Sequence, residues 1–121
     1  MTGPTVTDES DLETLTSLFD DRHVRAILAA TSAEPHSARE LSEQCDVSVS
    51  TIYRRLERLA DAELVHERTR PRRDGHHETV YVAALDRFEL TVRDGELDWT
   101  VEHHEDGTDV ADELTRLWGK F

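Results

Sequence analysis

The chain has 121 residues, 36% hydrophobic and 34% charged, with a formal net charge of −13 and a sequence pI near 4.8. That length fits one domain with its own core, and no run of about eighteen apolar residues offers a membrane span. A single cysteine, Cys45, excludes an internal disulfide and any Cys-rich zinc module.

Residues 1–8 are predicted to be disordered, and their lack of a basic start and an apolar stretch speaks against a secretory signal. From Ser10, Leu12, Leu15, Leu18 and Phe19 recur at helical spacing. Asp20-Asp21 offers a cap for a second run with Val24, Ile27 and Leu28 on one face, as one broken helix or two. Glu34-Pro35 ends it, because proline pushes its predecessor out of the helical region.

Ser37 and Glu40 have the spacing of a capping box, which starts a short helix with Ala38, Leu41 and Cys45 facing inward. Asp46-Val47-Ser48 makes a turn, and Ser48 caps a longer helix over 49–62. Its expected inward stripe is Val49, Ile52, Leu56, Leu59 and Ala60. At about 100° per residue, Ser50, Thr51, Arg54, Arg58 and Asp61 share the outer face. Two helices joined by so short a turn form a helix-turn-helix. The period then changes to two: LVHERT and ETVYVAAL read as strands around the turn RPRRDGHH. This hairpin is a wing, with Arg70, Arg72, Arg73, His76 and His77 at its tip.

The segment ELSEQCDVSVSTIYRRLERLADAELVHERTRPRRDGHHETVYVA resembles the winged helix-turn-helix of archaeal and bacterial ArsR-like transcription regulators, over roughly residues 20–85. The resemblance implies a DNA-binding regulator. Asp46 stands where such motifs often have glycine. Metal-sensing members carry a Cys-x-Cys pair, whereas Glu43-Gln44-Cys45 holds one thiol, so metal sensing is not implied.

In the last third, Asp94-Gly95 between alternating runs predicts a two-residue hairpin pairing Val92 with Leu97, Leu90 with Trp99, and Phe88 with Val101. All six then share one apolar face, while Arg93–Glu96 and Arg87–Glu102 pair on the other. Val110, Leu114, Leu117, Trp118 and Phe121 make the stripe of a terminal helix. The expected fold is therefore α+β: a winged helix-turn-helix over 9–85, with an extra C-terminal β-hairpin and terminal helix over 86–121. That extension is a packing or dimerisation element, and the expected two-fold interface uses Leu12, Leu15, Phe19, Leu114, Leu117, Trp118 and Phe121. The alternative is that the hairpin roofs its own helices.

Double-stranded DNA is the expected partner. Ser50, Thr51 and Arg54 are the candidate base-edge contacts; Ser48, Tyr53, Arg55 and Arg58 are candidate phosphate contacts. Tyr53 has an equal claim to packing beside Val49 and Ala60. In the wing, Arg70, Arg72, Arg73, His76 and His77 would meet the backbone. The alternative is a winged-helix module that binds only protein. Adjacent histidines in strands or loops point apart, so no metal site is expected. No cofactor is expected, and no motif for a catalytic nucleophile, phosphate loop or metallohydrolase occurs, so no catalytic residue is assigned. Cys45 reads as a small buried hydrophobe rather than a redox sensor.

The acidity does not exclude DNA, because it is uneven. Residues 48–77 carry 7 Arg against 5 acids, while both flanks are strongly acidic. Lys120 is the only lysine beside 13 Arg. An acidic, lysine-poor surface suits an extreme halophile of haloarchaeal type, in whose molar salt like charges are screened within about 3 Å. Ordinary solvated acidity in a mesophile is the alternative. A cytoplasmic location is expected either way.

Overall fold

A computed structural model of the chain describes residues 9–104. The disorder expected for 1–8 and the terminal helix with Leu114, Leu117, Trp118 and Phe121 lie outside the described residues.

Two helices, α1 (Glu9–Asp20) and α2 (Arg22–Ala33), replace the ambiguous first run. They part at Asp21, whose extended backbone and carboxylate start α2: Oδ1 accepts the N–H of His23 at 2.9 Å and of Val24 at 3.3 Å. Beyond Pro35 the chain forms β1 (His36–Ser37), a two-residue strand that the periodicity does not reveal. Ser37 also caps α3 (Ala38–Cys45) in a complete capping box with Glu40. Asp46 then turns the chain in the left-handed region, at φ 57° and ψ 46°. A short polar side chain tolerates that geometry better than a branched one.

Ser48 caps α4 (Val49–Asp61) by accepting the Thr51 N–H at 3.1 Å. At the far end, the Glu63 N–H bonds to the Ala60 carbonyl and the Leu64 N–H to the Leu59 carbonyl, at 2.9 and 2.8 Å. This is a Schellman motif with glutamate, at φ 63°, in the position that glycine usually fills. Leu64 is fully buried, so the motif steers the chain from helix into wing.

The wing strands β2 (Val65–Pro71) and β3 (His77–Ala83) pair from Val65↔Ala83 to Pro71↔His77. The short β1 pairs on the other side of β3, at His36↔Tyr81 and Ser37↔Val80, giving the order β1-β3-β2. Strands β4 (Leu85–Arg93) and β5 (Glu96–His103) form the second hairpin in the expected register, Val92↔Leu97, Leu90↔Trp99 and Phe88↔Val101. Asp94 and Gly95 both have positive φ, as a primed two-residue turn requires. The protein is thus an α+β winged helix-turn-helix with an added hairpin.

The core joins Leu15 and Leu18 of α1, Val24 and Ile27 of α2, Leu41 of α3, and Ile52, Leu56 and Leu59 of α4. Val49 and Ala60, expected to face inward, are exposed: the first turn of α4 projects beyond the core, so its buried stripe starts at Ile52, and Ala60 lies at the edge of that stripe, lining a groove with Glu67 and Tyr81. The hairpin divides along its length. Trp99 and Val101 are buried, and Phe88 packs, with tilted rings, between Phe19 (ring centroids 5.3 Å apart) and Trp99 (6.2 Å). Towards the turn, Leu90, Val92 and Leu97 stay 50%, 69% and 53% exposed. The inner half therefore roofs its own helices, and the outer half offers an apolar surface.

Candidate nucleic-acid interface

The projecting first turn of α4 presents Ser48, Ser50, Tyr53 and Arg54 to solvent, with Thr51 half-buried. Ser48 is committed to its helix: besides capping, its hydroxyl donates to Thr51 Oγ1 at 3.0 Å. Arg54 is exposed and makes no hydrogen bond or ion pair among the described residues. It lines a groove of about 420 Å³ with Tyr53, Glu57, Glu67 and Tyr81, between α4 and the wing strands.

Arg55 and Arg58 lie on the other flank, towards α1 and α2. Arg55 Nε donates to Asp21 Oδ2 at 3.1 Å, while Arg58 sits 3.9 Å from the same oxygen and donates to Ser17 Oγ at 3.4 Å. Burial tends to raise the Asp21 pKa, but the N–H groups of His23 and Val24 and the Arg55 charge outweigh it, leaving a net lowering. Asp21 thus ties the start of α2 to the middle of α4. The arginines of α4 are thus divided: Arg54 has no partner among the described residues, while Arg55 is held by Asp21.

The wing divides in the same way. Arg72 and Arg73 lie in the turn and are exposed; Arg72 comes only within 3.8 Å of Asp74. Asp74 accepts the His76 N–H at 3.0 Å, the main cause of its lowered pKa, and this orders the turn. His76 and His77 are exposed. Arg70 is not at the tip. It stands in β2 opposite Glu78, where its NH2 donates to Glu78 at 2.8 Å and to Glu40 at 3.2 Å.

Composition also passes over Arg39, which is exposed in the first turn of α3. A cation there opposes the helix dipole, and that local mismatch is the signal that could have singled it out.

Of the expected interface residues, Leu15 is buried in its own core, Leu12 is partly buried beside it, and Phe19 packs against Phe88. Cys45 is half-buried, and burial raises its pKa, which disfavours a reactive thiolate. Among the described residues, no group of three His, Cys, Asp or Glu is arranged to hold a metal, and no helix is long and apolar enough to cross a membrane.

A helix-turn-helix domain family matches residues 19–68, from the end of α1 into β2. The matched residues include all of α2, α3 and α4, and such a domain is the DNA-binding part of many regulators. No curated protein matches the chain.

Proposed function

We propose that the protein is a sequence-specific transcription regulator that binds double-stranded DNA. Residues 9–85 form the recognition unit, resembling that of ArsR-like regulators, and 86–121 form a packing and dimerisation extension. The observation that carries this reading is Arg54: an unpaired guanidinium on the first exposed turns of a capped helix, beside a wing whose tip holds Arg72 and Arg73. With α4 entering the major groove N-terminus first, Ser50, Thr51 and Arg54 reach base edges. Tyr53, Arg39, Arg72, Arg73 and the wing histidines serve the backbone. Ser48 contributes by fixing the helix start. Arg55 and Arg58 meet phosphate only at the edge of the site, since Asp21 already holds Arg55.

The working form is a homodimer in the cytoplasm of a halophile. Among the described residues, the outer hairpin with Leu90, Val92 and Leu97 offers an apolar surface to a second copy. The same outer hairpin favours a second reading, a winged helix used only for protein contacts. Selection from randomised duplexes separates the two. A regulator enriches a defined sequence, and Arg54→Ala relaxes one base position at a cost of about 1–3 kcal/mol. A protein module enriches nothing.

A further inference from the structure

The outer wing has few ties to the rest of the molecule. Pairing of β1 with β3 stops at Ser37↔Val80, so from Thr79 outwards β3 has only β2 beside it in the sheet. The turn from Arg72 to His76 is held by its own bonds, Arg72 N–H to the His76 carbonyl and Gly75 N–H to the Arg72 carbonyl. Across this gap reaches Arg70. Its NH2 meets Glu78 on the neighbouring strand and both oxygens of Glu40 on α3, at 2.8, 3.2 and 3.3 Å. Glu40 is itself fixed, because Oε1 accepts the Ser37 N–H at 2.8 Å to complete the capping box.

We propose that Arg70 is a positioning residue, a clasp that sets the wing against the helix-turn-helix so that Arg72 and Arg73 meet the DNA backbone, rather than a phosphate ligand. This rests on the DNA-binding reading. A phosphate arriving at Arg70 would have to displace two carboxylates, and the cluster of Arg70, Glu40 and Glu78 carries a net negative charge. The side chains are 25% to 41% exposed, so each pair is weak by itself. What the clasp supplies is direction, by joining two strands and a helix through one guanidinium.

Arg70 and Glu78 are direct cross-strand partners, and β3 lies between β2 and β1, on the side of α3. Exchanging their charges therefore keeps the pair, its reach to Glu40 and the net charge. Arg70→Glu is expected to weaken binding to a selected duplex about tenfold, and Arg70→Glu/Glu78→Arg to recover most of that loss. Circular dichroism verifies the fold of each variant. A charge-swapped protein that is folded and binds as weakly as Arg70→Glu would show that position 70 needs its own positive charge, and would overturn the clasp. Glu78→Gln gives a gentler second test. It removes a negative charge near DNA, yet on this account it weakens binding; tighter binding would mean that a phosphate ligand had been released. If the native protein binds no DNA sequence preferentially, the DNA reading fails by itself. Amide hydrogen exchange then decides the clasp: the outer wing exchanges faster in Arg70→Glu and slows again in the charge swap, or the clasp is wrong.

Discussion

At the scale of single residues, the Asp21 carboxylate divides its work between Oδ1, which caps α2, and Oδ2, which meets Arg55. Asp21→Ala loses a helix cap and leaves Arg55 without its partner, so it is expected to lower the unfolding free energy by about 1–2 kcal/mol in a urea titration. The same group gives a sign for pH. Its folded pKa is lowered, so its contribution is complete above the ordinary carboxylate range near pH 4 and is lost as pH falls through the lowered value. Acid unfolding of Asp21→Asn should therefore depend less on pH below about 4 than that of the native chain. Equal slopes would mean that Asp21 is no better held in the folded state than in the unfolded one.

Among the elements, α4 ends in a motif with glutamate at a left-handed position where glycine carries no steric penalty. Glu63→Gly is expected to raise stability by about 0.5–1 kcal/mol, net of the extra freedom glycine gains in the unfolded chain, read as a higher midpoint in urea. The hairpin roof offers the opposite test. Phe88→Ala removes a half-buried ring from between Phe19 and Trp99 and should cost about 2 kcal/mol. These elements differ in how far the sequence announces them. Ser37 with Glu40, Ser48, and Asp94-Gly95 act within a few residues, so spacing alone places the caps, the turn and the register that the hairpin adopts. The partners of the arginines are not legible in that way. Asp21 is 34 residues from Arg55, and Glu40 is 30 from Arg70, so only the folded chain decides which arginines are held. Val49 misleads because helical periodicity says which residues share a face, not where the core under that face begins, and Ala60 because it lies at the edge of that face, on the groove towards the wing. The strand β1 is two residues long, too short for any period.

For the whole molecule, the division of the hairpin bears on assembly. Its inner half is used within the protomer, so the proposed dimer is expected to be built on the outer hairpin. Light scattering in concentrated salt is expected to give twice the 13.8 kDa chain mass, and Val92→Asp should return it to monomer. Charge sets the second expectation. With 27 acids around a small basic face, approach to DNA takes up cations as well as releasing them, so affinity should fall only gently with added salt. Lowering the salt should unfold the protein, as its carboxylates lose their screening. The salt dependence of affinity presupposes that α4 reads DNA, and Arg54 tests that claim most directly. A fluorescence titration of the selected duplex and a scrambled one, in roughly molar potassium chloride, compares the native protein with Arg54→Ala. The native protein is expected to bind the selected duplex alone tightly, and the variant to lose about ten- to a hundredfold with its fold intact. Equal affinity of native and variant for both duplexes would contradict that claim.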